Sequence, residues 1–527
     1  MNHLQKHAAM IRYTPAKQLT LEGFSTPFSQ QLSTSNRWVI LAAKIPWDKL
    51  ADVYYKKMRA DFGAPTLSAR MVIGAVIIKH ILNIDDREVV EQITENIYLQ
   101  YFVGLSSFQQ EAPFDASLMV SIRKRLGVEV MSRLNEIILQ EAGLTKAKEE
   151  KTSDAGSKDE SDGDGGESNK VGCQADAEIV KETPSEGLSG TLMLDATVSE
   201  QQIDYPTDIK LLNEGRRQLE GIIERGCLAA ELIMPRMYRN IARKQYLNIA
   251  KKKNKSKRDI RRGIRQQLQY VKRDLKYINW LIETGPTFKE TLKPKEWTLI
   301  QVIQEMYRQQ VEMYKKREQK ISDRIVSIYQ PHVRPMPRGK DRVSTEFGSK
   351  QLVLLKDGYT HIEKLSWDNY NEGGLLIECL ETHKRLFGCY PERVLGDQLF
   401  GTRENRRYMK EKGIRYVGKP LGRPSSDSKQ QKRLLQKQMP ERNAIEGKFG
   451  QGKNAYGLGK IKARLKDTAE SWVMSIYFVM NLLKLAAGSF LSLLQIYYWL
   501  VTEGYLTIMV SCPDAQLRPR YMRRMEW

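Results

Sequence analysis

Apolar residues recur every three or four positions through MVIGAVIIKHIL (71–82) and REVVEQITENI (87–97), with the polar turn Asn83–Asp86 between them. That spacing gathers the apolar side chains on one face and predicts two short helices. A third helix is expected to start at Phe114-Asp115-Ala116-Ser117, where Asp115 can cap free backbone N–H groups. It carries Arg123, Lys124 and Arg125. Two short helices followed by a basic one have the outline of a helix-turn-helix DNA reader. A solvated basic face on an ordinary bundle fits the pattern equally well. Residues 45–146 are read as an all-α N-terminal domain, preceded by an arm at 1–44.

Thr191–Ser199 (TLMLDATVS) has the short apolar run and polar break of a strand. Beyond it the period returns to 3.6. Ile260, Ile264, Leu268, Val271, Leu275, Ile278 and Ile282 form one stripe, Gly285-Pro286 breaks it, and a second stripe runs from Ile300 to Ile328. These two stripes predict a long helical hairpin of coiled-coil style. Alternation resumes at Val343–Leu365, where Asp357-Gly358 is a hairpin turn between QLVLLK and YTHIEKL. A helix (Asn371–Phe387), the strand ERVLGD (392–397), a helix (Arg403–Lys412) and the strand IRYVGK (414–419) follow, and a helix opens at Pro440. The order describes a mixed α/β domain, 191–212 and 336–490, interrupted by a helical insertion at 213–335. Leu485–Val501 has 17 uncharged residues, near the lower limit for a membrane span, and is read as a buried core helix. Residues 491–527 would hold the end of that helix and a basic tail, Arg518–Arg524.

Charge changes this picture, because it is zoned. The 527 residues carry 85 Lys+Arg against 63 Asp+Glu, a formal +22. Glu149–Gly190 holds 12 acids and 4 lysines, whereas Arg236–Lys276 holds 16 bases and 2 acids. The first zone, within 147–190, has little to bury and reads as a flexible acidic linker. The second argues for a polyanionic partner, and the run Lys251-Lys252-Lys253 within KKKNKSKR is dense enough to suit phosphate contact. Five cysteines without a C-x-x-C pair, and six histidines without a metal-binding pair, argue against disulfide frameworks and zinc hydrolase chemistry. They suit a reducing cytosol. The N-terminus lacks an apolar segment, so no signal peptide is expected.

Three acids draw attention by context. Asp195 sits within an apolar strand, where a carboxylate needs a partner or a metal. Asp397 ends a strand and is followed by a polar segment. Glu446 lies in PERNAIEGKFGQGK (440–453), where Arg442, Glu446 and Lys453 fall within about 40° of one another on a helix. Oxygen ligands of this kind suit two magnesium ions acting on a phosphodiester. With 63 acids present, chance triples are easy to find, and Asp204 and Asp208 are rival ligands near Asp195.

Around these acids the chain resembles the DDE transposases of bacterial insertion sequences, in the insertion-sequence four and five grouping. The resemblance rests on MLDATVSEQQIDYPTDIKLLNEGR (193–216), RPMPRGK (334–340), EFGSK (346–350) and DGYTHIEKLSWDNYNE (357–372). It continues through YPERVLGDQLFGTRENRRY (390–408), GIRYVGKPLGRP (413–424) and ERNAIEGKFGQGKNAYGLGKIKARL (441–465). APFDASLMVSIRKRLG (112–127) is similar to the family's amino-terminal domain.

The resemblance implies an RNase H-like mixed sheet flanked by helices, with Asp195 and Asp397 on its strands and Glu446 on a later helix. Those three would be catalytic and would bind two Mg²⁺ ions, with Mn²⁺ able to substitute, while Arg442 and Lys453 would position DNA. The family motif Tyr-x2-Arg-x3-Glu-x6-Lys is matched at Arg442, Glu446 and Lys453, but Met439 replaces its tyrosine. The implied activity is cleavage at transposon ends followed by 3′-hydroxyl strand transfer into target DNA. The implied setting is the bacterial cytoplasm and nucleoid, with double-stranded DNA as partner, no membrane, and a homodimer on DNA. Two alternatives stay open: an endonuclease without strand transfer, and a non-catalytic DNA-binding protein derived from a transposase.

Overall fold

The computed structural model describes residues 31–56, 58, 66–144, 187–340, 343–418, 421 and 428–502. Among the described residues seven helices come first: α1 (Arg37–Lys44), α2 (Trp47–Tyr55), α3 (Ala69–Leu82), α4 (Asp86–Glu95), α5 (Ile97–Phe102), α6 (Leu118–Arg125) and α7 (Val128–Glu141). The polar turn after α3 has a physical basis. Asn83 takes the left-handed conformation that ends α3, and the Asp85 carboxylate accepts hydrogen bonds from the backbone N–H groups of Arg87 and Glu88 at the start of α4. Asp115 likewise accepts from Ser117 N–H at 2.8 Å, just ahead of α6. From Ala69 to His80 α3 is buried on every side, the pattern of a helix packed between others.

The central strand β1 (Thr191–Gln201) follows, and then five helices before the next strand: α8 (Asp208–Ala229), α9 (Arg239–Ala250), α10 (Lys257–Thr284), α11 (Pro286–Thr291) and α12 (Pro294–Lys316). Here the structure corrects the expected two-helix hairpin. α10 packs against α8, α9 and α12 together, so the insertion is a small bundle with its own core of Leu212, Leu219, Ile223, Val271, Ile278, Phe288 and Ile303 among others. The second stripe also ends early. Arg317 adopts φ 59° and closes α12, so Ile325 and Ile328 reach the same core from non-helical backbone. Their apolar spacing came from burial, not from helix.

The sheet is completed by β2 (Arg334–Lys340), β3 (Val343–Lys356), β4 (Tyr359–Ser366), β5 (Arg393–Leu395), β6 (Arg415–Val417) and β7 (Lys460–Ile461). Between these strands lie α13 (Leu376–Phe387), α14 (Arg403–Glu411) and α15 (Ser428–Ala455), and α16 (Lys466–Thr502) comes last. The principal order is β4-β3-β1-β5-β6, with β3 antiparallel to both β4 and β1, and with β5 and β6 parallel to β1 and to each other. β2 pairs with the first half of β3, and β7 with the end of β1. The Asp357-Gly358 turn takes φ 48° and 77°, matching the twist of a tight hairpin. One sheet face packs Leu192, Leu194, Leu352 and Leu354 against α13. The other packs Val353, Leu355 and Ile362 into a core shared with α15, α16 and the seven N-terminal helices.

That shared core joins the N-terminal helices to the sheet. Asn481 of α16 accepts from Thr360 N–H at 2.8 Å and donates to Thr360 O and to Asn135 Oδ1, both at 2.7 Å. Lys466–Gly488 is long and apolar enough to cross a membrane by length and composition, but 67% of its apolar window is buried inside the protein. α16 continues through the uncharged run 485–501 without a break at 490, while its side chains from residue 489 on lie outside the description. α15 does not open at Pro440 as expected. It begins at Ser428 and runs through the proline, which forgoes one backbone hydrogen bond. The acidic stretch from 147 to 186, the first 30 residues of the arm and the basic tail fall outside the described residues.

Two charged networks are structural. Arg123, expected on a DNA-facing surface, is 5% exposed. Its guanidinium grips Asp86 through two hydrogen bonds of 2.8 and 2.7 Å, beside Lys79 at 2.8 Å. Burial raises the Asp86 carboxyl, but hydrogen bonding to Arg123 and the charge of Lys79 prevail and hold it at about 2. Arg123→Ala should therefore destabilise the protein by about 3 kcal/mol, seen as a lower denaturation midpoint, and any DNA-binding loss should vanish at temperatures where the variant stays folded.

In the insertion, Arg216 bonds Glu220 at 2.5 Å, and Arg273 reaches both Glu220 (3.4 Å) and Asp274 (2.6 Å). Asp274 is fully buried, and desolvation pushes its carboxyl from 3.8 up to about 7 despite Arg273. A raised carboxyl favours the folded state while protonated. Its contribution is complete below pH 3.8, is lost as pH rises, and is gone above about 7. The thermal midpoint should fall between pH 5 and 7 for this reason, and Asp274→Asn should flatten that slope; equal slopes in the two proteins would refute it.

Candidate functional site

β1 and β5 run parallel with Met193 opposite Leu395, so the next residue on the same face of β1, Asp195, comes level with Asp397 just past the end of β5. A β-strand turns alternate side chains to opposite faces, and Asp195 shares with Met193 the face that packs toward α15. Asp195 Oδ1 accepts from Ala196 N–H at 2.8 Å. Asp397 Oδ1 accepts from Gln398 N–H at 2.7 Å, capping a turn of 3-10 helix, and the Tyr416 hydroxyl donates to the Asp397 carbonyl at 3.0 Å. Local hydrogen bonds thus orient both acids before any partner arrives.

α15 supplies the other half. Ile445 and Phe449 anchor it in the core, which turns Arg442 and Glu446, one turn apart, toward the strand ends. Arg442 Nη2 lies 3.6 Å from Asp195 Oδ2 and 3.9 Å from Glu446 Oε1, and Nη1 lies 3.6 Å from Asp397 Oδ1. Asp195 is the sheltered member, 17% exposed, while Asp397 is 48% and Glu446 60% exposed. The structure therefore brings together Asp195, Asp397, Glu446 and Arg442 around one guanidinium. Lys453 is half-buried in the last turn of α15, about 10 Å along the axis from Glu446 at 1.5 Å per residue.

The rival acids are engaged elsewhere. Asp204 pairs with Lys210 at 2.7 Å, and Asp208 accepts from Arg324 at 2.7 Å and from Gln310 at 2.9 Å at the root of the insertion. Glu372 is an acid that sequence reasoning missed. It is held by Lys350 at 2.6 Å, and Lys350 Nζ also donates to Tyr370 O at 2.9 Å and Asn369 Oδ1 at 3.1 Å. Its position in the motif 357–372 was visible, but nothing local distinguished it from a loop acid.

Burial pushes the Asp195 carboxyl above the usual carboxylate range. The Ala196 N–H and Arg442 pull it down, and the negative charges of Glu372 and Asp397 push it further up. As a donor set, three carboxylates are hard oxygen ligands of the kind Mg²⁺ takes. Their present spacing is wider than chelation requires. Among the described residues no three His, Cys, Asp or Glu side chains are close enough to hold a metal ion, and Arg442 stands in the space between these acids.

The basic positions separate into buried and exposed. Lys124 and Arg125 are exposed on α6, in contrast to Arg123. Lys251, Lys252 and Lys253 are exposed just past α9, and Lys251 and Lys252 line a concave surface with Arg243, Lys244 and Asn248. Such a surface suits a phosphate backbone.

Two segments match family models: residues 394–483 match one described as Transposase DDE domain, and residues 26–125 match one described as Transposase domain (DUF772). The first segment contains Asp397, Arg442, Glu446 and Lys453. A Rhizobium meliloti protein described as an uncharacterized protein, ORF8 in the nfe locus, is 40% identical over 96 residues, 18% of this chain. The match spans 46% of that relative, less than half its length. No solved structure matches.

Because Glu372 and Asp195 repel, Glu372→Gln should lower the Asp195 pKa, as followed by carboxyl ¹³C NMR across a pH titration. An unchanged Asp195 titration would remove Glu372 from the site.

Proposed function

We propose, on the premise that this chain belongs to the DDE transposases of insertion sequences, that it cuts DNA at transposon ends and joins the freed 3′-hydroxyl to target DNA. The observation that carries this reading is the convergence of Asp195, Asp397 and Glu446 on one side of β1 and β5, around Arg442. The order β4-β3-β1-β5-β6, antiparallel on one side of β1 and parallel on the other, supports an RNase H-like core. In that frame the first acid lies on the central strand, the second at its parallel neighbour's end, and the third on a helix packed across them.

Asp195, Asp397 and Glu446 would hold two Mg²⁺ ions, or Mn²⁺ in their place. Bound there, the ions would activate the attacking oxygen and stabilise the leaving oxygen of the phosphodiester. The chain's own contribution is positional. Asp195, fixed by its bond to Ala196 N–H, and Asp397, fixed by Gln398 N–H and Tyr416, hold their carboxylates at one level of the sheet. Glu446 closes the set from α15, and Arg442 and Lys453 would hold phosphates beside the cut through charge-assisted hydrogen bonds. Lys124 and Arg125 would contact the DNA ends from α6. Lys251, Lys252 and Lys253 would contact the backbone from the insertion. Joining two ends calls for a homodimer on DNA, in the bacterial cytoplasm and nucleoid.

The test is Glu446→Gln. It should abolish Mg²⁺-dependent cleavage of a transposon-end duplex while leaving duplex binding, measured without divalent cation, within about twofold, since the exposed basic surfaces are untouched. Cleavage at the unaltered rate would overturn the site. Cleavage by the unaltered chain without any joined product would leave an endonuclease.

A further inference from the structure

The guanidinium of Arg442 is surrounded by carboxylates yet stands beyond hydrogen-bond reach of each. Its three ion-pair distances are 3.6, 3.6 and 3.9 Å. The ion pairs that hold the fold are different. Arg123 meets Asp86 at 2.7–2.8 Å, and Arg216 meets Glu220 at 2.5 Å. Arg442 is therefore near three anions by charge but is committed to none by geometry.

We propose that Arg442 is the resident counter-ion of the acidic triad in the DNA-free protein, and that a DNA phosphate draws it away and so opens the triad to divalent cations. The inference rests on the reading of Asp195, Asp397 and Glu446 as cation ligands. Three carboxylates facing one another repel, and one central positive charge offsets part of that repulsion. A divalent cation must bring oxygens to about 2.0–2.1 Å, so a guanidinium and a cation cannot share the centre. Arg442 must leave for the triad to close.

Its departure needs an anion to receive it, and the forked guanidinium matches a phosphate better than it matches three carboxylates at different angles. Asp397 and Glu446 are about half exposed, so the triad is open to solvent on the side from which DNA would approach. Arg442 and Glu446 sit one turn apart on the same helix, so the side chain can swing away while the glutamate stays. The consequence is linkage: DNA and divalent cation each tighten the other's binding, by a common factor. A transposase built this way would keep its cations weakly bound until a DNA strand lay in the site.

The full chain, without DNA, should be titrated with Mn²⁺ and the free ion read by electron paramagnetic resonance. R442Q should bind Mn²⁺ at least about fivefold more tightly than the unaltered chain. An added duplex oligonucleotide should tighten Mn²⁺ binding by the unaltered chain and have little effect on R442Q. R442K, which keeps the charge, should stay within about twofold of the unaltered chain without DNA. R442Q binding no more tightly, or DNA failing to tighten Mn²⁺ binding by the unaltered chain, would overturn the proposal. The second of these is independent of whether any variant folds. D195N and E446Q separate the two levels: both should lose Mn²⁺ binding. If both kept it, the ligand reading would fall and this proposal with it, whereas loss in both with no gain in R442Q would overturn the counter-ion role alone.

Discussion

The register of β1 against its two neighbours is the constraint on which the rest depends. β1 is bound antiparallel to β3 over eight residue pairs, Met193 to Glu200, and parallel to β5 over three, Thr191 to Met193. The second pairing sets Asp195 level with Asp397; the first keeps β1 straight beyond the point where β5 ends. A slip of one residue would turn Asp195 to the face that holds Leu192 and Leu194. The packing resists that slip. Gly348 lies so close to β1 that a Cβ there would stand 1.9 Å from Ser199 O, and no side chain fits that gap. Leu192 and Leu194 are completely buried against α13, so exchanging them with Asp195 would bury a charge and expose two leucines.

Ion pairs in this protein divide by distance and shelter, and the division carries meaning. The Lys79–Asp86–Arg123 and Arg216–Glu220–Arg273–Asp274 groups are largely buried, within hydrogen-bond distance, and tie neighbouring helices together. Removing one member strands the others in low dielectric, which is why such groups hold a fold in one arrangement. The Arg442 group has neither the short distances nor full burial. Solvent reaches Asp397 and Glu446, so exchanging one cation for another there costs little desolvation. Structural and exchangeable charge are thus distinguishable by geometry, although both kinds consist of Arg, Asp and Glu.

Much of this was legible in the sequence where a local rule had no competitor. The Asp357-Gly358 turn, the strand expected at 191–199, which runs on to Gln201, and the helix–strand–helix–strand order expected after 371 all appear in the structure. So does the pairing of Arg442 with Glu446, since a helix places residues four apart on one face. What failed depended on tertiary context. The basic run Arg123–Arg125 looked uniform, but its first member meets Asp86, distant in sequence, and is buried. Ile325 and Ile328 kept a helical spacing because they fill the insertion's core, not because they are helical. Pro440 suggested a helix start, yet the helix runs through it. Glu372 could not be found locally, because its relation to Asp195 exists only once β1 and the loop after β4 are folded together.

The root of the insertion connects the site to the largest concentration of positive charge. The chain leaves the sheet at the end of β1, six residues beyond Asp195, and re-enters it at β2. Both passages are tied down: Arg324 and Gln310 hold Asp208 at the start of α8, and Gln330 donates to Gln202 O at 3.4 Å. An insertion with its own core and a pinned root moves with the strand that bears Asp195 more readily than one joined by slack loops. Nucleic acid held along Lys251–Lys253 would then be held relative to β1 itself. Charge in the insertion and carboxylates in the sheet would act on one substrate because the same strand, β1, ends at one and carries the first acid of the other.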